Sequence, residues 1–155
     1  MERKTQVHAE AGRQDLLITR VFELPVDLLY RAFTEADIVQ QWMNTHVIKL
    51  ESKTHGSWQF ETLDPSGNVA FKANGTIHIL IPEEKLVRTF EMENAAFGVQ
   101  LEILEFKSID ENTSSLQMHS IYESVELRDA MLKLPFAYGI NMAHDRLQEI
   151  LQSLK

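Results

Sequence analysis

The spacing of apolar residues changes its period twice along the chain, and these changes mark out the elements. Asp15 to Leu24 (DLLITRVFEL) mixes β-branched and large apolar residues and predicts a strand. Pro25 ends it and suits the first turn of a helix. Leu28, Leu29, Ala32 and Phe33 then fall at helical spacing. Thr34-Glu35-Ala36-Asp37 has the form of a capping box and predicts a second short helix to about Trp42. From His46 the period becomes two. His46–Ser52, Ser57–Leu63, Val69–Leu80, Lys85–Met92, Phe97–Ile109 and Ser114–Tyr122 each predict a strand. Asp64-Pro65-Ser66-Gly67-Asn68, Ile81-Pro82-Glu83-Glu84 and Asp110-Glu111-Asn112 predict the turns between them. Such short connections make an antiparallel meander.

After Ser124 the helical period returns. Val125, Leu127, Met131 and Leu134 precede Pro135, which kinks or separates a short leading helix from a longer one. Phe136, Ile140, Ala143, Leu147, Ile150 and Leu154 form one apolar stripe along that longer helix. A long amphipathic helix needs an apolar surface, and a face of the sheet is the large one available. The expectation is one α+β domain over residues 14–155. Its curved antiparallel sheet of about six to seven strands wraps round the C-terminal helix. The two short helices after the first strand close one end. Residues 1–13 are expected to form a flexible segment.

Composition narrows the partners. The chain has 155 residues, enough for one domain with a real core. Fifteen basic against 23 acidic residues give a net charge of −8, which argues against nucleic acid and against an anionic membrane surface. No cysteine is present, so disulfides, thiolate metal sites and cysteine nucleophiles are excluded, and a reducing cytoplasm fits. Met1 to Gln14 has no apolar stretch, so no secretion signal is expected there.

An ordered set of pieces resembles the START-like (SRPBCC) superfamily, and within it homologues of the activator of the heat-shock-protein ATPase. The pieces are Ile18-Thr19-Arg20 running to Pro25, Ala32-Phe33-Thr34-Glu35, Gln41-Trp42, Gly56-Ser57-Trp58-Gln59-Phe60, the Asp64 to Gly67 turn, Gly75-Thr76-Ile77, Pro82 to Val87, and Gly139 with Asp145-Arg146-Leu147. The resemblance runs from about Leu17 to Leu151. It implies a helix-grip fold with a ligand-sized cavity between sheet and long helix. Two pieces depart from the family pattern. Trp42-Met43-Asn44-Thr45 stands where Trp-Trp-Gly-Pro is usual, and Thr54-His55 replaces a glycine-rich turn.

Candidate site residues follow from face and spacing. Trp58 and Phe60 share one strand face. Phe71, Ala73, Gly75, Ile77 and Ile79 share another, and Leu116, Met118, Ser120 and Tyr122 a third. Each is either plain core or cavity wall. Gly75 leaves space that suits a bulge or a cavity. Arg20 shares parity with Leu16, Ile18, Phe22 and Leu24, so it is a structural ion pair or a cavity cation for a ligand carboxylate. Glu105 is a candidate partner, because it shares parity with Leu101 and Ile103. His144 borders the helical stripe and is a hydrogen-bonded core group, a pocket anchor or a weak acid/base. The expected cavity wall is therefore Arg20, Trp42, Trp58, Phe60, Phe71, Gly75, Met118, Tyr122, Phe136, Ile140 and His144.

The six histidines show no i, i+3 or i+4 pair and no HExxH, so no metal or other cofactor is expected. GxSxG, Walker and GxGxxG motifs are missing, and no catalytic residue declares itself. The expected function is binding of a small apolar or amphipathic molecule. A co-chaperone-like interaction module and a cavity enzyme of the cyclase/aromatase type are the alternatives. An open sheet keeps edge strands, which allow a homodimer.

Overall fold

The computed structural model describes residues 4–155. Its elements are β1 (Gln6–His8), β2 (Asp15–Phe22), α1 (Val26–Thr34), α2 (Ala36–Met43), β3 (His46–Leu50), β4 (Ser57–Leu63), β5 (Val69–Ile81), β6 (Lys85–Met92), β7 (Val99–Asp110), β8 (Thr113–Ile121), α3 (Val125–Leu132) and α4 (Phe136–Gln152). The eight strands form one antiparallel sheet in the order β1-β2-β8-β7-β6-β5-β4-β3. Chain neighbours pair along β3 to β8, as short turns dictate, and β2 closes against the last strand.

The sheet has one more strand than the seven expected from the pattern. Gln6–His8, inside the segment assigned to flexible residues 1–13, pairs with β2 as an edge strand. Residues 1–3 of that segment lie outside the described residues. Three residues carry too little periodicity to read as a strand, and pairing with β2 supplies what the local pattern does not.

Local chemistry explains the connections. Pro25 precedes α1, and its carbonyl accepts from Leu29 N. The capping box at Thr34 does not form. Thr34 is the last residue of α1, and its hydroxyl donates back to the Tyr30 carbonyl. Glu35 occupies the N-cap of α2 with no side-chain cap. Asp64 Oδ1 accepts from the backbones of Ser66 and Asn68, which closes the turn into β5. Ser124 caps α3, accepting from Leu127 N. Asn44 and His55, at the two departures from the family pattern, both have left-handed backbones, with φ of 51° and 67°. Asn44 ends α2 there, one of the few non-glycine residues that visit this region readily.

The core lies on one face of the sheet. Leu16, Ile18, Arg20, Phe22 and Leu24 all point into it, as do Leu116, Met118, Ser120 and Tyr122. Two face assignments are reversed. On β7 the buried set is Gln100, Glu102, Leu104 and Phe106, so Glu105 lies outside. On β5 a register shift between Ile77 and Ile79 turns Ile79 to solvent.

Helix α4 crosses that core face. Its C-terminal half is packed through His144, Leu147, Gln148 and Leu151. Its first half is only partly buried at Phe136, Ile140 and Ala143. Leu154, placed on the apolar stripe, falls beyond the helix end and is exposed.

Candidate functional site

A cavity of about 610 Å³ opens between the sheet and the first half of α4. The sheet supplies Phe71, Phe90, Met92 and Met118. The helices supply Phe33, Trp42, Met131, Phe136, Ile140 and Ala143. This is an apolar box of the size that takes a drug-sized molecule. Gly139 and Ala143 are the small residues that α4 sets along this hollow. A Cβ added at Gly139 would meet nothing within 4 Å.

Polar groups gather on one wall. Arg88 on β6, Glu102 on β7 and Ser120 on β8 stand directly opposite one another in a single row across three strands. Arg88 Nε donates to Glu102 Oε1 at 2.9 Å, and Gln100 Nε2 donates to Glu102 Oε2 at 3.0 Å. Side-chain exposure is 7% for Arg88 and 3% for Glu102, so this is a buried ion pair. Tyr122 lies beside the row, also buried, and its hydroxyl has no hydrogen-bond partner among the described residues. Burial raises the Tyr122 hydroxyl well above the usual phenol range, and the Glu102 charge adds to the effect, so it keeps its proton.

His144 borders the other end. Its Nδ1 is 2.8 Å from Thr5 Oγ1, and Arg20 Nη1 donates to the same hydroxyl at 3.2 Å. The Thr5 hydroxyl accepts from the arginine and shares a second hydrogen bond with Nδ1. Burial, with Arg20 nearby, lowers the His144 pKa to about 3, so the ring is neutral.

Of the expected wall residues, the structure brings together Trp42, Phe71, Met118, Tyr122, Phe136, Ile140 and His144. It places Arg20, Trp58, Phe60 and Gly75 elsewhere. Arg20 is buried against Asp145 on α4, 2.8 Å away, and not against Glu105. Its guanidinium also lies over the Phe22 ring. Trp58 and Phe60 back the wall instead of lining it. Trp58 packs against Phe90 and sits under the Arg88 guanidinium. Gly75 leaves room for Trp58, not for the cavity. A Cβ there would lie 2.0 Å from the Thr89 carbonyl oxygen and 2.5 Å from Trp58 Nε1.

The polar row escaped the sequence pattern. β7 is apolar at both parities, and Leu101 with Ile103 outweighs Gln100 with Glu102. The usable signal was Phe106, which continues the parity of Leu104, Glu102 and Gln100 and demands burial.

Among the described residues no helix is long and apolar enough to cross a membrane. No curated protein matches the chain. Solved structures do. A protein of Rhodobacter sphaeroides superposes with a TM-score of 0.86 at 19% identity, covering 97% of this chain and 99% of that one. One from Arthrobacter aurescens gives 0.84 at 15% identity over 96% and 91%. One from Mycobacterium smegmatis gives 0.82 at 16% identity over 97% and 99%. Residues 23–152 match the family described as Activator of Hsp90 ATPase homolog 1-like protein, and the chain belongs to that family.

Proposed function

We propose that the chain is a binding domain for a small apolar or amphipathic molecule held between the sheet and α4. One observation carries it: an apolar hollow of about 610 Å³ with buried Arg88, Glu102 and Tyr122 converging on one wall. Ligand pockets have this composition, mostly apolar with a few placed polar groups. Trp42 on the wall and Trp58 behind it provide a fluorescence reporter. Titration with lipids and polycyclic compounds should quench or shift its emission. A ligand at a hundredfold excess over Kd adds about 2.7 kcal/mol, which raises Tm by roughly 5–10 °C. Silence in both measurements across the panel would exclude the proposal.

A second reading rests on the family description, which names an ATPase activator. Leu134, Tyr138 and Met142 favour it, being large apolar side chains exposed about the start of α4, with Tyr138 at 69%. Addition of the chain to purified chaperone should then raise its ATPase rate. An unchanged rate removes this reading and leaves the first intact.

A further inference from the structure

The charges on the cavity wall cancel. Arg88 and Glu102 are the charged side chains among the lining residues, and they are already paired with each other at 2.9 Å. His144, the one histidine on the wall, is neutral. A ligand carboxylate placed here would face Glu102 with no cation left to balance it. Burying an unpaired ionised carboxylate is very costly.

The hydrogen-bonding capacity does not cancel. Tyr122 lines the cavity at 2% exposure, and its buried hydroxyl has no partner among the described residues, so its O–H donor is unspent. Arg88 spends only its Nε on the protein, and its two terminal nitrogens have no protein acceptor among the described residues. Glu102 has accepted one hydrogen on each oxygen, which leaves each with a free lone pair. One wall thus presents donors from Tyr122 and Arg88 beside acceptors on Glu102, in an otherwise apolar box.

Resting on the binding role above, we infer that the cavity selects an uncharged ligand whose apolar body ends in a group that both accepts and donates hydrogen bonds, such as a carboxamide, and that it rejects the matching carboxylate. The amide oxygen takes the Tyr122 and Arg88 hydrogens. Its N–H goes to Glu102. Leaving these protein groups unmet penalises a ligand without them, and an extra negative charge penalises the acid.

A matched set tests this: 2-naphthamide, 2-naphthoate and 2-methylnaphthalene, titrated at pH 7 and followed by calorimetry. The amide should bind at least tenfold tighter than either of the others. Tyr122→Phe should weaken the amide about three- to tenfold and leave 2-methylnaphthalene unchanged. Glu102→Gln strands the Arg88 charge and should reverse the order of amide and naphthoate. Each variant is first checked for wild-type circular dichroism, and the wild-type ranking decides alone if a variant does not fold. Naphthoate equal to or tighter than the amide, or 2-methylnaphthalene as tight, overturns this inference while the binding role stands. If none of the three binds and the wider lipid and polycyclic panel is also silent, the binding role fails and this inference with it.

Discussion

Arg88 and Glu102 face each other across β6 and β7, and the guanidinium of Arg88 also lies 5.2 Å above the Trp58 ring. The sheet therefore holds one charge pair in a fixed orientation, with an aromatic floor beneath the cation. The pair looks into the cavity, away from bulk water. Its worth to stability is a separate matter from its place in the site, because both charges lost their hydration on folding.

That separation gives the first prediction. Glu102→Leu leaves a buried guanidinium without its counter-charge and should cost about 3–5 kcal/mol in urea unfolding. Arg88→Met together with Glu102→Leu removes both charges and should cost less than Glu102→Leu alone. A double variant as damaged as the sum of the two singles would mean that the two residues do not interact.

The Tyr122 hydroxyl gives the second. It is buried without a partner among the described residues. Tyr122→Phe removes that unmet group and should leave the free protein unchanged or about 1 kcal/mol more stable. A loss above 2 kcal/mol on thermal or chemical unfolding would show that the hydroxyl has a partner within the fold.

Gly75 gives the third. Gly75→Ala would drive a methyl onto the Thr89 carbonyl oxygen and the Trp58 indole, and neither is a flexible side-chain end. The expected loss is at the upper end of the roughly 1–3 kcal/mol seen for overpacked sites. Gly139→Ala is the contrasting change. Its Cβ meets nothing, and alanine is favoured over glycine in a helix by about 1 kcal/mol. Gly75→Ala within 0.5 kcal/mol of the parent would mean that the strands do not approach as described.

The same residues show what the pattern alone could reach. The meander, the paired short helices and the break at Pro135 were legible because turn chemistry and period are local. So were the inner faces of β2 and β8, where one parity is clearly more apolar. The site was legible at Trp42, at Phe71, on β8 and on α4. Arg20 and Trp58 were assigned to the right face of the sheet, yet which part of that face is hollow depends on where α4 stands off, a long-range property. The Arg88–Glu102 pair was missed because it takes two strands in register to make a charged residue tolerable inside.

The fourth prediction concerns acid. His144 is neutral in the folded protein down to about pH 3, whereas in the unfolded chain it takes a proton near its ordinary value of 6.5. Below pH 6.5 the unfolded state binds more protons, so stability falls as pH falls through the window from 6.5 to 3. The slope contributed by this one group approaches about 1.4 kcal/mol per pH unit. Carboxylates such as Asp15, held well below its usual range by Arg13 and then His119, lose their contribution only below about pH 4. Across the interval from pH 6 to 4.5 the difference between the parent and a variant without the imidazole reports the histidine. Unfolding free energies of the parent and of His144→Gln, measured across that interval, should converge as pH drops. Parallel curves would show that the imidazole is charged in the native protein.

The fifth concerns the edge strand. Thr5 comes just before β1, yet its side chain joins Arg20 on β2 to His144 on α4, and its backbone N–H donates to Asn141 Oδ1 at 2.9 Å. Thr5→Val keeps the shape and the backbone bond but removes the hydroxyl. His144 Nδ1 and Arg20 Nη1 then lose a buried partner each, although Arg20 keeps Asp145. The expected cost is about 1–3 kcal/mol, dominated by the buried His144 Nδ1, which has no second partner among the described residues. In His144→Leu, which needs no hydrogen-bond partner, the same Thr5→Val change should cost less than half as much. Equal costs in the two backgrounds would mean that Thr5 acts through packing alone, and that the N-terminal strand is not tied to α4 by this hydrogen bond.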